Sequence, residues 1–98
     1  MITRIVRLSF QASFRAQFIE ISREIQPTIE SFAGCHSVDV LNDVDNSNVF
    51  FTYSKWDSVA DLNAYRDSDF FKNVWAKTKK GFNEKPMAWS TESVIGEV

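Results

Sequence analysis

The sequence predicts an α+β fold in which helices cover one face of a four-stranded antiparallel sheet. Apolar and polar residues alternate along residues 2–10, apolar residues then recur at helical spacing, and two strand-like segments flank a turn in the middle. Two short helices and a last strand follow. This β-α-β-β-α-β order is the ferredoxin-like split arrangement. We expect residues 1–98 to form a single domain, since a chain of this length supports one core.

The first strand leads into a long helix. The apolar positions of this helix recur at steps of three, four and seven and form one stripe: Phe14, Phe18, Ile21, Ile25, Ile29 and Phe32. We expect Ser13 to cap the helix and Gly34 to end it. Pro27 lies inside the pattern and lacks a backbone donor, so we expect the helix to kink or restart there.

The middle of the chain predicts a β-hairpin. The strand-like segments CHSVDVL (35–41) and VFFTYSKW (49–56) flank the loop NDVDNSN (42–48). Aspartate, asparagine and serine in this loop are strong turn formers.

The second half predicts two short helices and a final strand. Ser58 and Ser68 are each followed by an aspartate in the first turn, which is typical of a helix start. Residues 87–95 are best interpreted as the last strand, with Pro86 at its entrance.

Large apolar groups point to both faces of the third strand. Val49, Phe51 and Tyr53 lie on one face, and Phe50 and Trp56 lie on the other. Helices can cover only one face, so we expect a homodimer in which sheet faces sheet. A small apolar ligand would then lie between the two sheets, and the alternative is a dry interface.

Charge and composition argue against several classes of partner. The net charge is -2 and the isoelectric point is near 5.3, so the chain lacks the basic surface typical of nucleic-acid binding. The sequence has no run of 18 apolar residues and no signal-like stretch, so we expect a cytoplasmic protein without a membrane partner. Cys35 and His36 are the only cysteine and histidine, which argues against a metal site and favours a reduced, buried thiol.

Three stretches together resemble one known family. They are AGC after the first long helix, the block DVDNSNVFFTYSKWDSVADLNAYRDSDFF, and the closing KPMAWS. With these stretches the chain resembles the antibiotic biosynthesis monooxygenase (ABM) family over nearly its whole length. The resemblance implies a homodimeric α+β barrel. In catalytic members it also implies oxidation of polyketide quinols or similar aromatics by dioxygen, without flavin, metal or haem.

The chain departs from this family at two places. Many members have a histidine between the residues that correspond to Ser68 and Phe70, whereas this chain has Asp69. An aspartate is a weaker base unless burial raises its pKa, and its alternative role is to stabilise the first turn of a helix. Haem-degrading relatives have an iron-binding histidine where this chain has Trp75, and an asparagine on the first strand, where residues 2–10 contain none. Haem degradation is therefore not expected.

Six residues form the predicted site. Tyr65 and Asp69 are the catalytic candidates, because a phenol can donate to a substrate oxygen and a carboxylate can accept a proton. Arg4 and Arg7 lie on opposite faces of the first strand, so one of them can reach the space between the sheets. The candidates for substrate binding are Trp56, Asn63, Trp75 and Arg7. The alternatives are core packing for the aromatic rings and solvent exposure for Asn63.

The leading hypothesis is a cofactor-independent monooxygenase that acts on a small aromatic or quinol-type substrate. The alternative is a non-catalytic dimer that binds a small metabolite or supports another protein. A third possibility is isomerisation of a small carbonyl compound. We find no nucleophile-base-acid arrangement of the kind that a hydrolase needs.

Overall fold

The protein is described by a computed structural model that covers residues 1–96, so the last two residues of the predicted domain lie outside the described part. Its elements are β1 (Ile2–Ser9), α1 (Arg15–Glu30), β2 (Cys35–Asn42), β3 (Val49–Trp56), α2 (Val59–Arg66), α3 (Asp69–Thr78) and β4 (Met87–Glu92). The sheet order is β2-β3-β1-β4, and every neighbouring pair is antiparallel. The predicted ferredoxin-like α+β fold is confirmed.

The start of α1 differs from the prediction. A 3₁₀ turn at Ala12–Phe14 precedes the helix, and Phe14 takes the capping position without any side-chain hydrogen bond. Ser13 is therefore not the cap. The Phe14 ring instead packs 5.3 Å from the ring of Phe10, measured between centroids, and this contact fixes the entry of the chain into the helix.

The end of α1 also differs from the prediction. The helix continues through Pro27 to Glu30 and does not restart. Pro27 removes only the one hydrogen bond that its own amide would donate to the carbonyl of Arg23. Ser31 is the C-cap, so Gly34 does not end the helix as predicted; it lies in the turn that follows, where it has a φ of 82°.

The two later helices begin at the predicted serines. Ser58 Oγ accepts a hydrogen bond from the Asp61 amide at 3.2 Å, and Ser68 Oγ accepts one from the Phe71 amide at 3.1 Å. Both caps satisfy an amide that has no partner within its own helix.

The hairpin and the last strand follow the predicted order. In the hairpin turn, Asp43 Oδ1 accepts a hydrogen bond from the Asp45 amide at 2.8 Å. The last strand ends at Glu92 rather than at residue 95. Its partner strand β1 begins at Ile2, which is paired with Glu92, so no residue of β1 remains to continue the ladder.

The core is divided into two clusters at opposite ends of the sheet. One contains Ile2, Ile29, Val38, Trp56 and Leu62, and the other contains Leu8, Phe10, Phe18 and Phe50. Alternate residues of β3 face the helices in the order Phe50, Thr52, Ser54, Trp56. Side chains in this series are large at both ends and small in the middle. Each large ring belongs to one cluster, and the small residues leave space between the clusters.

The other face of the sheet is apolar and uncovered. The strand register aligns Leu41, Phe51, Arg7 and Met87 in one row, and Asp39, Tyr53, Ile5 and Trp89 in the next. Leu41, Met87 and Trp89 are 48%, 50% and 43% exposed, respectively. The apolar second face that the sequence predicts is therefore present.

Replacing Gly34 with alanine should destabilise the fold. A residue with a Cβ atom is strained at a φ of 82°, and this Cβ would also overlap the Asp61 side chain that pairs with the cap of α2. We expect Gly34→Ala to lower the free energy of unfolding by about 2 kcal/mol, measured by urea denaturation followed by circular dichroism. Gly96→Ala is the matched control, because a Cβ there meets no atom within 4 Å. Equal effects of the two substitutions would contradict this account of Gly34.

Candidate functional site

A cavity of about 350 Å³ lies between the helix-facing side of the sheet and the helices. Small-molecule sites in proteins span roughly 300–1,000 Å³, so this volume suits a small ligand. Its floor is formed by the small residues in the middle of the sheet, namely Val6, Thr52, Ser54 and Ala88. The cavity therefore follows from the division of the core into two clusters.

Four aromatic rings form a continuous wall of this cavity. The Trp56 and Tyr65 rings are stacked with centroids 5.1 Å apart, and the Tyr65 ring meets the Phe71 ring edge-on at 5.1 Å. Phe71 stacks on Trp75 with centroids 5.9 Å apart, and all four residues line the cavity. Because each ring packs on the next, the aromatic wall both stabilises the core and presents ring surface to a ligand.

Trp56 contributes only apolar surface to the wall. Its Nε1–H donates to Ser54 Oγ at 3.0 Å, two residues earlier on the same strand, and the side chain is fully buried. The single donor of the indole is thus occupied within the protein.

Tyr65 is the polar residue of the aromatic wall. Burial, followed by the nearby Cys35 thiol, raises the pKa of its phenol well above the usual value. The phenol therefore stays protonated around neutral pH and can donate a hydrogen bond to a ligand oxygen. It is unsuited to act as a base, since the deprotonated form is scarce at that pH.

Two arginines line another part of the cavity. Arg4 faces the helices from β1 and donates from its guanidinium to Ser90 Oγ at 3.0 Å. Arg66, at the end of α2, is exposed, so this side of the cavity meets solvent. Burial lowers the pKa of Arg4, and the positive charge of Arg66 lowers it further. Among residues 1–96, no aspartate, glutamate or histidine lines the cavity.

The cavity lies on the opposite side of the sheet from the predicted site. We expected a ligand to lie between two sheets, whereas this cavity lies between one sheet and its own helices. Arg7 therefore does not line the cavity. It lies on the uncovered face, and its guanidinium pairs with Glu84 at 3.1 Å.

Asn63 and Asp69 also lie outside the cavity. Asn63 is exposed on α2, and Asp69 is exposed in the first turn of α3. Tyr65 lies on α2 and Asp69 on α3, and only Tyr65 lines the cavity. The structure thus brings together Trp56, Tyr65 and Trp75 from the predicted set.

Sequence reasoning did not include Arg66 and Phe71 in the site, and it left open whether Arg4 or Arg7 reaches a ligand before choosing Arg7. The sequence contains a signal for the side on which Arg4 lies. Arg4 is on the same face of β1 as Ile2 and Leu8, which lie in the core. The position of Arg66 depends on where α2 ends relative to the sheet, and no local pattern indicates that.

The cysteine and the histidine lie outside the cavity lining. Cys35 is half-buried rather than buried as predicted, and burial raises the pKa of its thiol. His36 is exposed, and its Nε2 atom contacts an Asp57 carboxylate oxygen. Within residues 1–96 there is no group of three or more His, Cys, Asp or Glu side chains placed to hold a metal ion. None of the helices in that range is both long and apolar enough to cross a membrane.

Solved structures show the same fold. The crystal structure of an antibiotic biosynthesis monooxygenase superposes with a TM-score of 0.90 at 14% identity, covering 97% of this chain and 100% of the other. Rv0793 from Mycobacterium tuberculosis gives 0.88 at 14% identity, covering 99% and 98%. A conserved protein from Methanosarcina mazei Go1 gives 0.86 at 14% identity, covering 93% and 91%. At such identities the likeness concerns the fold alone.

Sequence comparison identifies the family. A search of curated proteins found no match. The family model for antibiotic biosynthesis monooxygenase matches residues 1–77, which is well over half of the chain. The chain therefore belongs to the antibiotic biosynthesis monooxygenase family.

Proposed function

We propose that this protein is a monooxygenase that oxidises a small aromatic or quinol-type substrate inside the cavity between the sheet and the helices. The observation that carries the proposal is the aromatic wall, in which a protonated phenol adjoins stacked rings at a cavity of small-molecule size. Membership of the antibiotic biosynthesis monooxygenase family supports monooxygenation as the class of reaction.

The aromatic wall would bind the substrate by its ring faces. Trp75 and Phe71 are half-buried and present ring surface to the cavity, and offset or edge-on contacts between rings are favourable by about 0.5–1.5 kcal/mol each. A flat aromatic molecule fits such a wall better than a branched aliphatic one, because it can keep ring contact over its whole area.

The proposed reaction draws its electrons from the substrate. A phenolic substrate loses a proton, and the electron-rich carbon of the resulting anion forms a bond to dioxygen. Where that carbon is a ring CH₂ group, it becomes a carbonyl: one oxygen atom stays on the carbon, and the other leaves as water with the two hydrogens. Atoms and electrons balance in this reaction without a further reductant, so we propose that it needs no flavin, metal or haem.

Tyr65 would stabilise the substrate anion by hydrogen bonding. Its phenol is held protonated by burial, so it can donate to the oxygen on which negative charge develops. We assign no proton-accepting role to Asp69, because its carboxylate is exposed outside the cavity. The substrate proton would therefore pass to solvent on the side of the cavity that Arg66 borders.

We also propose that two copies of the chain pack through their uncovered sheet faces. The support is the pair of mainly apolar rows on that face, which contain one charged residue each, Arg7 and Asp39, and in which Leu41, Met87 and Trp89 are about half exposed. A second copy presents the same apolar rows and would remove them from water. Arg7 and Glu84 already form a pair with each other, so the Arg7 charge on this face is partly neutralised.

One observation favours the alternative of a non-catalytic ligand-binding dimer. Within the described part of the chain, the cavity lining contains no carboxylate or histidine that could serve as a base near neutral pH. A protein that only binds its ligand needs no such residue, and the oxygen-uptake experiment below distinguishes the two functions.

The first test measures oxygen uptake by the purified, metal-free protein with a panel of hydroquinones, hydroxynaphthalenes and anthrones. We expect uptake above buffer, and Tyr65→Phe should lower kcat by roughly 10²–10³-fold, as for removal of one oxyanion donor. Tyr53→Phe is the matched control, because Tyr53 lies on the uncovered face, away from the cavity. Uptake no faster than buffer, or a rate unchanged by Tyr65→Phe, would sink the proposal. Binding without uptake would favour the ligand-binding alternative.

The second test measures the oligomeric state by sedimentation velocity at micromolar concentration. We expect a dimer, and Trp89→Asp should yield monomers because it places a charge within the apolar face. Val59→Asp serves as the control, since Val59 is 51% exposed on α2 and lies away from the sheet. A wild-type protein that sediments as a monomer would refute the dimer.

A further inference from the structure

We propose that Arg4 and Arg66 bind a carboxylate on the ligand, so that the cavity selects small aromatic carboxylates over neutral aromatics of the same shape. This inference deepens the proposed function, because it takes the same cavity as the substrate site. It concerns the class of ligand and not the oxidation itself.

The charge of the cavity lining is unbalanced. Arg4 and Arg66 are the ionised residues among those that line it, and no acidic residue accompanies them. The ion pairs within residues 1–96 lie elsewhere, at Arg7–Glu84, Arg23–Glu20 and His36–Asp57. The lining is thus positive in a chain whose net charge is -2.

A bound anion would offset the unfavourable electrostatic environment of the Arg4 charge. Burial and the Arg66 charge both disfavour the charged form of Arg4, which shows that the two guanidinium groups interact unfavourably. A carboxylate between them would offset both effects. A guanidinium group can also donate two parallel N–H hydrogen bonds to a planar carboxylate. A neutral hydroxyl or amide on the ligand accepts such hydrogen bonds less strongly.

The position of Arg4 is fixed by the sheet. It lies on the central strand β1, and its guanidinium donates to Ser90 Oγ on the neighbouring strand β4. An arginine held in this way loses less side-chain entropy when a ligand binds. Arg66 is exposed at the solvent side, so the anionic end of the ligand would lie where the cavity opens.

The rest of the lining determines the other end of the ligand. The aromatic wall and aliphatic side chains such as Val6, Ile25 and Ile29 form most of the remaining surface. A flat, apolar ligand with one anionic group would match both the two arginines and the apolar lining. A phosphate ester fits less well, because its larger and more strongly hydrated dianion would have to be desolvated beside apolar residues.

The test compares three ligands of equal ring size by isothermal titration calorimetry: 2-naphthoate, the neutral and isosteric 2-naphthamide, and 2-naphthyl phosphate. We expect 2-naphthoate to bind roughly 10–100-fold more tightly than 2-naphthamide, the range typical of charge-assisted hydrogen bonds. Ala88→Leu, which adds volume at the cavity floor, should weaken both, and this locates the binding.

Arginine variants test the assignment directly. Arg4→Gln and Arg66→Gln should each reduce the affinity for 2-naphthoate by about 10-fold or more while leaving the affinity for 2-naphthamide unchanged. Arg23→Gln is the control, because Arg23 is exposed on α1 and pairs with Glu20. Retained 2-naphthamide binding and circular dichroism report on folding, and the exposed Arg66 provides a variant that remains informative if Arg4→Gln does not fold.

Two outcomes would overturn the inference: equal affinities for 2-naphthoate and 2-naphthamide, or an affinity for 2-naphthoate that neither arginine variant lowers. Tighter binding of 2-naphthyl phosphate would replace carboxylate with phosphate as the ligand group. These binding results do not depend on turnover. Arginine-dependent binding without oxygen uptake would uphold the carboxylate inference and refute the monooxygenase. Oxygen uptake on neutral quinols, without a preference for carboxylates, would refute the carboxylate inference and uphold the monooxygenase.

Discussion

The order of side-chain sizes on the helix-facing side of β3, large at both ends and small in the middle, is the constraint on which the rest of the structure depends. Phe50 and Trp56 are large enough to reach the helices and anchor one core cluster each, whereas Thr52 and Ser54 are too short to do so. Protein interiors are normally close-packed, so a gap of this size marks a place where packing has been given up. The cost is offset at both ends, where aromatic rings pack in contact with one another.

The aromatic residues of α2 and α3 have two roles at once. Tyr65 stacks on Trp56 and packs against the core, and it also lines the cavity. The same burial that fixes its ring also keeps its phenol protonated. Packing and chemistry are therefore not separable here, because loosening the ring would also make the phenol more acidic.

The fold was predictable from sequence because strand and helix periods are local properties. The serine caps at Ser58 and Ser68 follow from side-chain chemistry alone, whereas the start of α1 depends on how Phe14 packs against Phe10. The aromatic part of the site was predictable from residue type. The side of the sheet on which the cavity lies was not, since it depends on how far the helices stand from the short residues beneath them.

The central position of β1 has a consequence for how the two faces of the sheet communicate. Arg4 points to the cavity, and the next residue, Ile5, points to the uncovered apolar face. One peptide unit thus joins a charged group of the cavity lining to the surface on which another subunit would pack. A backbone displacement caused by an occupant on one side would therefore also move a residue of the other side. Occupancy and self-association would then be thermodynamically linked, each changing the equilibrium constant of the other by the same factor.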